Sequence, residues 1–265
     1  MKPLLKIIAF FVSLYVIACL ILFFSQEHII FHPEKLNSNY KFHFNQPFEE
    51  ITFTTKDDSK LSAILFKSDS SKGLIFYLHG NAGSLQSWGT ISKTYTDLNY
   101  DVLMLDYRGY GKSEGKISDQ DQLFADIQVS YNEIRKKYPE NKIIVLGYSI
   151  GTCPAAEIAA SNKPRLLILQ APYYSLADLM NHHYPFVPTF LLKYKLETFK
   201  YVKECKMPVV IFHGDQDEVI YYKSSIKLKD NFKSSDTLIT LHGQGHNGMS
   251  DNPDYLTSLE KILNN

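Results

Sequence analysis

Three residues scattered along this 265-residue chain have the types needed for acyl transfer: Ser149, Asp217 and His246. A serine hydroxyl is a poor nucleophile until a base takes its proton and a third group orients that base. Ser149 sits in GYSIG, residues 147–151, directly after the apolar run IIVL and before IGTCPAAEIAA, which reads as a helix. A GxSxG string that joins a strand to a helix is a nucleophile elbow. Side chains at Gly147 and Gly151 would strike the neighbouring strand and helix, so the glycines let the serine be presented.

The acid and the base are expected at later strand ends. After VVIFHG comes DQDEV, where Asp215 and Asp217 compete for the acid role; Asp217 stands farther into the loop. After TLITLHG comes His246 in the glycine-flexible GQGHNG, and it is preferred over His242, which lies at its strand's end. The order Ser149, Asp217, His246 is the chain order of a Ser…Asp…His hydrolase triad. The adjacent His182 and His183 are expected to face solvent or pack locally, and Asp97 and Asp101 fall at the wrong end of a strand. Donors for a tetrahedral oxyanion are expected from the backbone N–H of Ile150, just after the nucleophile, and of Asn81 in HGNAGS.

Positioning these groups takes a sheet. The runs GLIFYLHG, DVLMLD, KIIVLG, RLLILQ, PVVIFHG and TLITLHG are apolar on both faces, and helical patterns separate most of them. Such alternation predicts an α/β fold with a mostly parallel sheet covered by helices on both sides. Function then belongs in the loops beyond the carboxyl ends of the strands. Residues 119–138 form one such helix, with Leu123, Ile127, Tyr131, Ile134 and Tyr138 as its buried stripe and Ser118/Asp121 as its capping pair. Between Gln170 and Pro208 the alternation stops; an apolar, aromatic stretch with prolines 172, 185 and 188 reads as a small helical lid, about residues 171–206.

Residues 7–24 carry no charge. About 18 residues at about 1.5 Å each reach about 27 Å, near the thickness of a bilayer's hydrocarbon core. The expected organisation is a transmembrane anchor over 1–25, a linker over 26–47 and one catalytic domain over 48–265. Lys2 and Lys6 before the anchor favour a cytoplasmic amino terminus and an exported domain. A cleaved signal peptide and lipidation of Cys19 in VIAC are the rival readings.

Composition excludes other classes. Lys+Arg and Asp+Glu each number 28, which gives no support to nucleic-acid binding. The 3 cysteines form no CxxC pair or Cys/His cluster, so neither a disulfide framework nor a zinc site is expected. A single Cys153–Cys205 bridge remains open. No cofactor motif is present, and water is the expected cosubstrate.

Over residues 48–265 the chain resembles the α/β-hydrolase superfamily, most closely membrane-anchored serine hydrolases, a branch that includes protein depalmitoylases and lysophospholipid lipases. QEHIIFHPEKL, HGNAGS, DYRGYGKSEG, GYSIG, HGDQDEV and GQGHNG carry the resemblance. It implies Ser149 as nucleophile, Asp217 as acid, His246 as base, and Asn81 and Ile150 as oxyanion donors, with Arg108 orienting rather than catalysing. The lid is the least family-like part. The resemblance implies hydrolysis of an ester or thioester of an acyl or lipid-like small molecule at a membrane, with no obligate protein partner evident. A serine peptidase of the same fold would want more acidic residues in the lid than Asp178, Glu197 and Glu204. A non-enzymatic, membrane-tethered binding protein would lack a triad member.

Overall fold

The computed structural model describes residues 2–264. Its strands are β1 (His32–Pro33), β2 (Phe48–Thr54), β3 (Lys60–Phe66), β4 (Leu74–Leu78), β5 (Ala82–Gly83), β6 (Asp101–Leu105), β7 (Ile143–Tyr148), β8 (Leu166–Gln170), β9 (Val209–Gly214) and β10 (Thr237–Leu241). The helices are α1 (Lys2–Phe24), α2 (Gln26–Ile30), α3 (Leu85–Trp88), α4 (Ser92–Thr96), α5 (Gln120–Ile134), α6 (Thr152–Ser161), α7 (Leu176–His183), α8 (Thr198–Glu204), α9 (Lys223–Lys229) and α10 (Pro253–Asn264). Eight strands form one sheet in the order β10-β9-β8-β7-β4-β6-β3-β2. From β10 to β6 every pairing is parallel; β3 pairs antiparallel with both β6 and β2.

The apolar runs form strands because each must fill two cores at once. Successive side chains of a strand point to opposite faces. Thus Phe76, Val145 and Leu167 enter one hydrophobic layer, while Tyr77, Leu146 and Ile168 enter the other. Helix α5 closes the first layer with the expected stripe of Leu123, Ile127, Tyr131 and Ile134. Its cap differs from expectation by one residue. Asp119, not Ser118, accepts the Gln122 N–H at 2.8 Å, and Gln122 reaches back to the Ser118 N–H at 2.9 Å. A carboxylate one position on does the same work as a hydroxyl for the unpaired amides of the first turn.

Helix α1 is long and apolar enough to cross a membrane, and none of its residues is buried in the protein. The segment after it, expected as a linker, lies along the domain. α2 follows at once, β1 pairs with β5, and Phe42 is buried in the second layer. Residues 171–206 contribute α7, a short turn of helix at Thr189–Leu191 and α8. Cys153 and Cys205 are both free and buried. Desolvation pushes the Cys205 thiol up to about 12 and the Cys153 thiol well above the usual range, so both are inert.

Arg108, in the loop after β6, ties three elements together. Its guanidinium donates to Asp126 of α5 at 2.5 and 2.9 Å and to Asp57 of the β2–β3 turn at 2.7 and 2.8 Å. Arg108 and Asp126 are both buried, so removing one charge strands the other. Arg108→Met is expected to lower unfolding free energy by about 3–5 kcal/mol in denaturant melts in detergent, and Arg108→Met/Asp126→Leu to recover most of it.

Candidate active site

The elbow forms where β7 meets α6. Ser149 adopts a left-handed backbone with φ of 53°, a strained state for a residue with a side chain. Neighbours hold it there. A Cβ on Gly151 would lie 2.3 Å from the Leu78 carbonyl oxygen, and one on Gly147 would lie 2.4 Å from the Gly151 carbonyl oxygen. The Thr152 hydroxyl donates to the Ser149 carbonyl at 2.6 Å and fixes the first turn behind it.

The sheet brings the other two candidates to this point. His246 Nε2 lies 3.1 Å from Ser149 Oγ, and His246 Nδ1 lies 2.8 Å from Asp217 Oδ2. All three residues are nearly buried, each between 7 and 8% exposed. The rivals pair with each other instead: His242 Nδ1 meets Asp215 Oδ2 at 2.8 Å on the surface. Tyr148 O–H donates to the His246 carbonyl at 2.6 Å and anchors the flexible glycine loop.

Asp217 is prepared for its contact with His246. Its Oδ1 accepts the N–H groups of Val219 and Ile220 at 2.9 and 2.8 Å, which leaves Oδ2 for the imidazole. Burial works against ionisation here, but hydrogen bonds from His213 and His246 and from the Ile220 amide outweigh it. The carboxyl is therefore held well below the usual carboxylate range. His213 was not singled out by sequence reasoning. Its Nε2 lies 3.2 Å from Asp217 Oδ2 and 2.8 Å from the Ile220 carbonyl, while Nδ1 takes the Ser225 hydroxyl at 2.6 Å. Its only signal is its place in the HG pair that ends β9.

Asn81 and Ile150 line the same cavity as Ser149. The loop carrying Asn81 is clamped from several sides. Tyr107 O–H donates to the His79 carbonyl at 2.9 Å, and Tyr110 O–H donates to the Asn81 carbonyl at 2.6 Å. The His32 N–H meets that same carbonyl at 2.9 Å, from the segment just beyond the apolar helix α1 and α2. Behind the loop, Asp106 accepts the Leu85 N–H at 3.0 Å; burial raises its carboxyl, and His79, 3.6 Å away, opposes that rise.

The cavity holds about 780 Å³ and is mostly apolar. Leu176, Met180, Val187 and Leu191 of the lid form one wall, and Leu22, Ile29 and Ile30 form another. Residues 22–30 were not expected to border the site, because contacts between residues more than a hundred positions apart leave no periodic trace. His183 also lines the cavity, its Nε2 3.0 Å from the Val219 carbonyl, whereas His182 stacks on Tyr221 at 3.9 Å. Glu218 is the one acidic group on the wall among the described residues. Asp178 and Glu197 of the lid are paired with Lys227 and Lys200.

Comparison with known proteins gives the family and the fold. The α/β-hydrolase domain-containing protein 17C of Xenopus tropicalis is 30% identical over 226 residues, covering 81% of this chain and 69% of that protein. The chain belongs to the α/β-hydrolase family. The human α/β-hydrolase domain-containing protein 17B is 29% identical over 220 residues, covering 80% of this chain and 74% of its own length. A family model described as serine aminopeptidase, S33, matches residues 69–200 of this hydrolase. Among solved structures, an esterase from Pyrococcus furiosus shares the fold with a TM-score of 0.69 at 19% identity, covering 89% of this chain and 97% of that one. The mostly parallel sheet with helices on both faces is thus the one the sequence predicted.

The depressed Asp217 carboxyl has a sign that can be checked. A carboxyl whose folded value lies below its unfolded value of about 3.9 adds stability above that pH and loses it as pH falls toward the folded value. Asp217→Asn lacks this contribution. In thermal melts the stability gap between wild type and Asp217→Asn should be open at pH 7 and narrow steadily below about pH 4. A gap independent of pH would contradict the assignment.

Proposed function

We propose that this protein is a membrane-anchored serine hydrolase that cleaves ester or thioester bonds of acyl-chain substrates through an acyl-enzyme on Ser149. The carrying observation is the hydrogen-bonded run Ser149–His246–Asp217 opening directly into the apolar cavity beneath the lid. His246 Nε2 takes the Ser149 proton as Oγ attacks the acyl carbonyl. The oxyanion that forms is met by the N–H groups of Asn81 and Ile150, donors of a kind whose individual loss costs about 100- to 1000-fold in rate. His246 returns the proton to the departing alcohol or thiol, then deprotonates the water that releases the acid. Asp217 holds the imidazole in the required tautomer and favours its transient positive charge.

The walls of the cavity favour an acyl chain. Beside Ser149 they are mostly Leu, Ile, Met and Val side chains, with Gln26, Asn81, His183 and Glu218 as the polar groups among them. The adjoining helix α1 suits a substrate held at a bilayer, and Lys2 and Lys6 before it favour a cytoplasmic amino terminus with the domain exported. The family model's description and Glu218 on the wall support a second reading, a peptidase that binds a free amino group.

A panel of p-nitrophenyl esters of rising chain length, run beside aminoacyl anilides, separates the two. The expected result is kcat/KM rising with chain length through medium acyl groups, with anilides cleaved at least about 100-fold more slowly. Asp217→Asn is expected to lower kcat by about 1000-fold or more, and Ser149→Ala by more than that. Preference for the anilides would overturn the ester reading.

A further inference from the structure

The middle of the lid is a crest, residues 184–192, with the sequence YPFVPTFLL and no charge. Its largest side chains point outward: Phe186 is 86% exposed and Phe190 84%. An apolar knob of this kind marks a surface that meets something other than water.

The crest lies against helix α1. The Tyr15 hydroxyl donates to the Phe186 carbonyl at 3.0 Å. Tyr15 stands about nine residues before the end of α1, which is about 13 Å along the axis. Helical side chains lean toward the amino terminus, so Phe186 sits no shallower than Tyr15 itself. If α1 crosses a bilayer whose apolar half is about 15 Å deep, Phe186 lies inside that half.

Two further features fit that depth. Both elements turn charged at one level: Glu27 just after α1 and Lys193 just after the crest pair at 3.2 Å, and the Lys193 ammonium lies 4.9 Å from the Phe23 ring. Buried Gln26 pins the same level, donating to the Leu191 carbonyl at 2.8 Å and accepting the Lys193 N–H at 2.9 Å. Six of the crest's nine residues also present no free backbone donor. Pro185 and Pro188 have none, and the N–H groups of Tyr184, Val187, Leu191 and Leu192 are bonded to nearby carbonyls. Each backbone donor satisfied in this way lowers the cost of placing irregular backbone at membrane depth.

We propose that residues 184–192 are a second membrane-embedded element, sunk beside α1 into the apolar part of one leaflet. The cavity, walled by Leu22 on one side and Leu191 on the other, then receives its acyl chain laterally from that leaflet. The lateral entry rests on the ester-hydrolase reading; the embedding rests on geometry alone.

The test uses the full chain in phosphatidylcholine vesicles whose acyl chains carry bromine near mid-length. Phe186→Trp and Phe190→Trp each add a reporter to the signal of Trp88, and Asp69→Trp at the opposite edge of the sheet is the control. The added emission at 186 and 190 should be blue-shifted and fall by about half or more in brominated against plain vesicles, with none of this at 69. Unquenched, water-like emission at 186 and 190 would overturn the embedding, as would shielding of the crest by a second copy of the chain. Phe186→Ser/Phe190→Ser should then cut hydrolysis of a long-chain ester dissolved in the vesicles about tenfold, leaving a short soluble ester within about twofold. Equal effects on the two esters would overturn lateral entry. A wild type that cleaves neither ester would instead defeat the ester-hydrolase reading, and the quenching result would still decide the crest.

Discussion

The site depends on one crowded corner, where the carboxyl end of β7, the first turn of α6 and the carboxyl end of β4 meet with no room for a Cβ. Gly151 lies against the carbonyl oxygens of Leu78 and His79, and Gly147 lies against Gly151 and Ala155. That crowding forces the chain into a turn so tight that Ser149 must take a positive φ. The strain is local, of order 1–3 kcal/mol, and the packed strands on either side sustain it. A looser turn would lower the hydroxyl into the sheet, out of reach of His246.

Around this corner the fold uses position more than charge. His246 is held at one nitrogen by Asp217 and at its backbone by Tyr148; Asp217 is held by two amides and faced by His213. The Asn81 loop is held by Tyr107, Tyr110 and the His32 amide. Because His32 follows α1 so closely, the segment leaving the apolar helix is part of the scaffold of the site. The end of α1, the lid and the Asn81 loop thus meet around one cavity.

Much of this was legible in the sequence, for identifiable reasons. Strands buried on both faces are unbroken apolar runs, and β4, β6, β7, β8 and β9 read directly. Ser149 and Asp217 stand just after such runs and His246 after the half-exposed edge strand β10, and chain order and loop position singled them out as candidates. What was not legible came from contacts without local pattern. The two-residue pairing of β1 with β5 carries no alternation, so residues 26–47 read as a tether. His213 is hidden inside an apolar strand, and its role appears only when α9 brings Ser225 and the turn brings Asp217 to its two nitrogens. The cap of α5 was misplaced because Ser118 and Asp119 are both competent and only tertiary context chooses between them.

The most direct test of the account asks where a reactive phosphorus ends up. Full-length protein in vesicles, treated with a fluorophosphonate and mapped by peptide mass spectrometry, should carry a single adduct on Ser149. The adduct should form at least about 100-fold faster than in His246→Ala, the contribution expected of a positioned general base. An adduct on another residue, or equal rates with and without the imidazole, would contradict it.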